Sequence, residues 1–385
     1  MDTHHTDHLG DPALLTLLLA GGPLAPRRQL LQALGSARAV LDAGPPRWRS
    51  AGLDSAQCRA LQHPDAMALG RAVAWLSSGK QHHLIGLTDP GYPILLAHAP
   101  EPALALFASG DPALLHQPLV AIVGSRNASP SGRAIAQQLA GELCAHGLGV
   151  ASGLAAGIDA AAHRAGLQAG GRNVAVIGTG PDRAYPASHQ QLQQQLASRG
   201  VVVSEYPPGT PPRPGHFPAR NRLLAGLSLA VIVVEAAQRS GAMITARLAA
   251  EAGREVFAVP GSPLNPLSRG CNRLLRDGAG LLESIQDLLP AVPALSHLVG
   301  LQLPARAATA PPLPIDDNLS RLYQALDQIP VDLDELALRT GLTVAGLSAM
   351  LLDLELAGQA LQQHGRWQRA PHPPSITASI DAGRG

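Results

Sequence analysis

Lysine is almost missing from this chain: Lys80 is the single lysine among 29 basic residues. Charged residues of both signs make up only 15%, aromatics 3%, and the formal balance is +1. A global charge so close to zero neither demands nor excludes a polyanionic partner, so the placement of the arginines has to decide. Glycine (40) and proline (34) are in excess. With arginine standing in for lysine, this reads as a GC-rich coding bias, which weakens any argument from arginine content alone.

Cysteine is scarce as well. Cys58, Cys144 and Cys271 are odd in number and show no C-x-x-C spacing, which argues against a disulfide framework and a thiolate zinc site and fits a reducing cytoplasm. Long apolar runs are also wanting. The longest central one, Leu223 to Val234, is far short of the ~20 residues that cross a bilayer. The opening stretch has no basic region followed by an apolar one, so neither a membrane span nor a secretory signal is expected. His4, His5 and His8 are expected to sit in a tail without function.

What is present is periodicity. The 385 residues suffice for two or three domains. In 1–80, leucines recur at spacings of three and four between Gly and Pro breaks, predicting a small helical domain. The apolar pieces LIGL, ILL and ALALFAS between 85 and 119 suggest a strand-rich lead into the next domain, which spans 82–289. There an apolar strand, a Gly-rich turn and a helix-length segment alternate, with strands placed at 119–124, 149–152, 174–178, 201–206, 229–236 and 255–261. Continuous apolar strands alternating with helices predict an α/β fold, a Rossmann-like, doubly wound parallel core. Residues 290–318 read as a Pro/Ala-rich linker. Helix, turn at Gly341, helix and hairpin over 319–370 follow the order of a winged helix, and 371–385 is a tail.

The loops after the strands carry the chemistry, because ligands of open parallel sheets sit beyond the carboxyl ends of the strands. In Gly124-Ser125-Arg126, the glycine permits close backbone approach. Ser125 and the N–H groups of the helix that follows can donate to an anion, and Arg126 supplies a planar fork for phosphate. The spacing is not G-x-G-x-x-G, so a dinucleotide cofactor is unsupported. Asp159 and His163, four apart on a helix, read better as a pair fixing the loop than as acid and base. Phe217, Arg220, Asn221 and Arg222 close a proline-stiffened loop and combine a stacking surface with cationic groups, as single-stranded nucleic acid requires. The alternative is that Phe217 anchors the loop while Arg220 and Arg222 pair with acids such as Glu205 and Glu235. Ser240 and Gly241 begin a further helix, another anion-friendly position.

Residues 119–230 hold nine arginines against four acids, a net of +5, so binding of phosphates there should weaken steeply with salt. Residues 316–370 carry eight acids and four arginines. The second helix of that module has no basic residue, which predicts contact with protein rather than duplex DNA.

The segments VAIVGSRNASPSG (120–132), SGLAAGIDAAAH (152–163), SEYPPGTPP (204–212), FPARNRLLAGLS (217–228), VVEAAQRSGAMITARLAAEAGREVFAVPGS (233–262) and SRGCNRLLRDGA (268–279) together resemble the DNA-processing protein A family (DprA/Smf). The resemblance implies an extended Rossmann domain between a sterile-alpha-motif-like (SAM-like) helical domain and a winged-helix-like domain. It further implies a cytoplasmic, non-enzymatic homodimer without cofactor or metal, which binds single-stranded DNA and loads the RecA recombinase during natural transformation. The implied DNA-binding positions are Gly124, Ser125, Arg126, Phe217, Arg220, Asn221 and Arg222, with Ser240 and Gly241 nearby; implied dimer contacts fall in 264–284. The competing reading is a nucleotide-binding enzyme resembling phosphoribohydrolases and acting on nucleoside monophosphates. The glutamate of their Pro-Gly-Gly-x-Gly-Thr-x-x-Glu loop has no counterpart here, where Ser240-Gly241-Ala242 stands.

Overall fold

The computed structural model describes residues 11–292, 317–327, 330–356, 359–363 and 365–370. The chain divides into two units, 1–301 and 302–385. The expectations for the histidine-bearing start, for the 371–385 tail and for most of the linker fall outside the described residues.

Six short helices open the first unit: α1 (Pro12–Leu19), α2 (Leu24–Leu34), α3 (Ala37–Asp42), α4 (Gly44–Ser50), α5 (Ser55–Gln62) and α6 (Ala66–Ser77). Their starts are set by local chemistry. Asp11, Ser36, Asp54 and Asp65 each accept a first-turn backbone N–H, and Asp54 forms a reciprocal capping box with Gln57, satisfying donors a helix start leaves over. The recurring leucines converge inward: Leu14, Leu17, Leu30 and Leu31 pack around Trp48.

These helices are not an isolated bead. Leu104 and Ala105 belong to the same apolar cluster, and Phe107 packs with Leu15, Ala72 and Leu76. The strands concerned are β1 (His82–Gly86) and β2 (Ala105–Gly110), with the single turn α7 (Ile94–Ala97) between them. Here the strand-rich expectation for ILL is corrected. Pro93 precedes that turn, and in a segment this short only Leu96 is drawn inside.

The remaining elements alternate as expected: β3 (Leu119–Val123), α8 (Pro130–Ala145), β4 (Gly149–Ser152), α9 (Ile158–Gln168), β5 (Asn173–Ile177), α10 (Gln190–Arg199), β6 (Val201–Ser204), α11 (His216–Leu227), β7 (Ala230–Val233), α12 (Gly241–Glu251), β8 (Glu255–Ala258), α13 (Arg269–Arg276), β9 (Gly280–Leu281) and α14 (Ile285–Leu288). The nine strands form one sheet in the order β1-β2-β6-β5-β4-β3-β7-β8-β9. All neighbours from β6 to β9 are parallel, and β2 runs antiparallel to both β1 and β6.

Alternate residues of β3 serve opposite faces, as the two-residue strand period dictates. Leu119, Ala121 and Val123 pack with Leu223, Leu224, Ala246 and Cys271 of α11, α12 and α13. Val120 and Ile122 pack with Leu139, Leu143 and Ala162 of α8 and α9. The core is therefore doubly wound. Successive strands step from β3 to β6 in one direction, and then β7 returns to the other side of β3. The switch between β3 and β7 opens a crevice at their carboxyl ends.

In the second unit α15 (Asp317–Ala325), α16 (Leu333–Thr340) and α17 (Val344–Leu356) precede the hairpin β10 (Ala360–Gln363) and β11 (Arg366–Arg369). Leu322, Leu336, Leu347, Leu351 and Trp367 form its core. Asp332 caps α16, and Gly341 ends it in the left-handed region at φ 72°, where a side chain would be strained. Among the described residues no helix is long and apolar enough to cross a membrane, and no group of His, Cys, Asp and Glu is placed to hold a metal ion.

Candidate functional site

The crevice at the strand switch holds a cavity of about 840 Å³, lined by the turn after β3, the starts of α9 and α12, and the proline loop leading into α11. Tight backbone packing builds its floor. Ser125 N–H donates to Glu235 O at 2.7 Å, and Ile158 N–H donates to Ser125 O. A Cβ on Gly124 would come within 2.5 Å of Ile158 Cγ1 and 2.9 Å of Glu235 O, so glycine there is a requirement of the approach.

Glu235 settles which helix start is free. Its buried carboxylate accepts from Ser129 N at 2.9 Å and from Ser129 Oγ at 2.5 Å. A carboxylate already neutralises the α8 start, so the expectation that this helix offers its N–H groups to an external anion is corrected. At α12 the situation is reversed. Ser240 makes no side-chain cap bond, its Oγ is buried without a partner, and Gly241 is exposed. Asn221 Nδ2 donates to Gly241 O at 3.3 Å, fixing that terminus from α11.

The predicted arginines separate into two kinds. Arg126 is exposed, and its guanidinium lies 5.5 Å from the centre of the half-buried Phe217 ring. Arg220 is buried: it donates to Gly153 O at 2.6 Å, to Val176 O, and through Nε to Asn221 Oδ1 at 3.2 Å. Burial lowers its pKa to about 10, opposed by the nearby Asp159 carboxylate. Arg222 binds Glu205 at 2.5 Å, with its side chain only 12% exposed. The expectation of three open phosphate forks is thus corrected. Arg220 and Arg222 are spent on internal carbonyls and a carboxylate, because α11 turns its fifth and seventh residues inward, toward the ends of β4 and β5 and the loop after β6.

Asp159 accepts from the backbone N–H groups of Gly153 and Ala155, which places it as a loop-fixing group. Burial raises its pKa, while Arg220 and these donors pull it down. Its helical neighbour His163 meets Asn173 Oδ1 at 3.3 Å.

Sequence reasoning missed one cation of the lining. Arg213 is exposed and faces the crevice from between Pro212 and Pro214. Tyr185, 43% exposed, sets its ring 5.0 Å from Phe217. The signal for Arg213 was a cation held between two prolines, a spacing that keeps a side chain out of any helix or strand.

Known proteins fit this architecture. Residues 83–293 match the model of DNA recombination-mediator protein A, and 304–366 match that of the DprA winged helix domain. Protein Smf of Synechocystis is 38% identical over 314 residues, covering 73% of this chain and 78% of the relative. DNA processing protein DprA of Streptococcus pneumoniae is 47% identical over 207 residues, 53% of this chain and 72% of the relative. A crystal structure of the Streptococcus pneumoniae DprA superposes with TM-score 0.64 at 36% identity, covering 73% of this chain and 98% of that one. DNA processing protein A from Helicobacter pylori, solved for its single-stranded DNA binding mode, superposes at 0.50 and 32% identity, over 56% of this chain and 96% of its own. With the sheet, the crevice and both family models in agreement, the chain belongs to the DNA recombination-mediator protein A family, a family of mediators rather than of enzymes.

Proposed function

We propose that this chain binds single-stranded DNA in the switch-point crevice and hands it to a RecA-type recombinase in the cytoplasm during natural transformation. One observation carries the reading. Arg126 and Arg213 flank a crevice that also holds the Phe217 and Tyr185 rings. Cations track a phosphate backbone, and exposed rings stack unpaired bases. The free α12 start at Ser240 and Gly241 adds a place for one phosphate. Gly124 and Ser125 shape the floor, and Asn221 holds the α12 terminus in position. Arg220 and Arg222 act from behind, as struts.

The DNA mode known for the Helicobacter pylori relative supports the same ligand here. A homodimer through 264–284 completes the reading: Leu264 is 87% exposed, and Leu281, within the edge strand β9, is 51% exposed. Exposed leucines next to a sheet edge favour association with a second copy.

The test is oligonucleotide affinity, single-stranded against duplex, at two salt concentrations, for the native protein and Arg126→Ala. Preference for the single strand and a smaller salt dependence in the variant are expected. Equal affinity of variant and native protein overturns the site.

A further inference from the structure

A second cavity of about 440 Å³ lies beside the first, between α6 and α10, and Pro212 lines both. Its wall is aromatic. The Trp75 and His82 rings stack at 3.9 Å with an 8° tilt, giving a flat platform at the end of α6. Opposite stands Gln193, only 8% exposed. Its Nε2 donates to Pro181 O at 2.9 Å, while its Oε1 is buried and meets no donor. A buried acceptor left open costs free energy that an incoming N–H recovers. At the mouth Arg183 is exposed, and Asp182 is engaged with Gly209 N–H at 2.8 Å, tying the proline loop in place.

We propose that this cavity is a second base-binding subsite, taking a further nucleotide of the same strand that occupies the main crevice; the proposal rests on that reading. A nucleobase presents a π-face to the Trp75–His82 stack and an N–H to Gln193 Oε1. Every DNA base carries such an N–H, so the subsite tolerates sequence, as stacking platforms do. The strand reaches it over Tyr185 and Pro212, with Arg183 beside the connecting phosphate. Because Trp75 and His82 lie at the end of the N-terminal helical segment and the start of β1, that segment becomes part of the DNA surface rather than an appendage to it.

The experiment compares a short oligonucleotide of about four nucleotides with one of about ten, a span within that seen for single-strand sites, on the full-length protein. The longer strand is expected to bind more tightly and to quench tryptophan fluorescence, with the quench absent in Trp75→Phe. His82→Ala and Gln193→Leu are each expected to reduce the long-strand affinity roughly fivefold or more, the low end for one lost base contact, leaving the short strand unaffected. If the variants keep the full advantage of the long strand, or if Trp75 fluorescence does not respond, the subsite is overturned. That failure is separable from failure of the main site, in which Arg126→Ala leaves both oligonucleotides bound as tightly as before.

Discussion

Arg126 lies over the ring of Phe217 with its guanidinium carbon 5.5 Å from the ring centre, although one belongs to the turn after β3 and the other to the start of α11. The contact holds a cation and a stacking surface on the same wall of the crevice, where a backbone phosphate and its base would arrive together.

Arg126→Ala should remove one phosphate contact. The slope of log affinity against log salt is expected to fall in magnitude by about one, measured by fluorescence anisotropy over a sodium chloride series. Arg213→Ala should behave alike, whereas Arg126→Lys should retain the slope while losing part of the affinity.

Phe217→Ala should weaken binding by about 1–3 kcal/mol, the range for one base stacked on an aromatic side chain. The salt slope should stay as in the native protein, since no charge is lost. Phe217→Trp should restore affinity in the same titration.

Arg220→Met should read out as stability. It leaves the Gly153 and Val176 carbonyls unpaired and deprives Asp159 of its neighbouring cation. A loss on the order of 3 kcal/mol is expected in urea unfolding. Arg126→Ala, whose side chain is exposed, should leave the urea midpoint unchanged.

Acid should destabilise the sheet through His163. Burial lowers its pKa from 6.5 to about 4, so between these values the unfolded chain takes up a proton that the folded chain refuses. The stabilisation is complete above pH 6.5, declines as pH falls, and amounts to about 3 kcal/mol lost by pH 4. Urea midpoints followed from pH 7 to 4.5 should fall, and His163→Gln should flatten that dependence.

The sheet was legible because its strands are continuous apolar runs punctuated by glycine, a pattern that few other folds require. The six strands placed from 119 to 261 reappear as β3 to β8: β4 with the same bounds, β5 shifted by one residue, and the other four shortened. Legibility failed where direction mattered. Residue type alone could not tell that Arg126 points outward while Arg220 and Arg222 point inward. That difference comes from the pitch of α11 and from carbonyls far away in sequence, at Gly153 and Val176. The same holds for Glu235, whose bond to Ser129 joins segments that only the fold brings together. Arg213 went unnoticed because its loop lacks any period to read.

The antiparallel pairing of β2 with β6 sets a limit on how far this protein can be shortened. A version beginning after residue 110 would lose two strands and their helical cover at a stroke. The bare hydrogen-bonding groups of Val201–Ser204 would then be free to recruit any passing chain. Such a fragment should polymerise or precipitate, and failure of DNA binding in it would say nothing about the crevice.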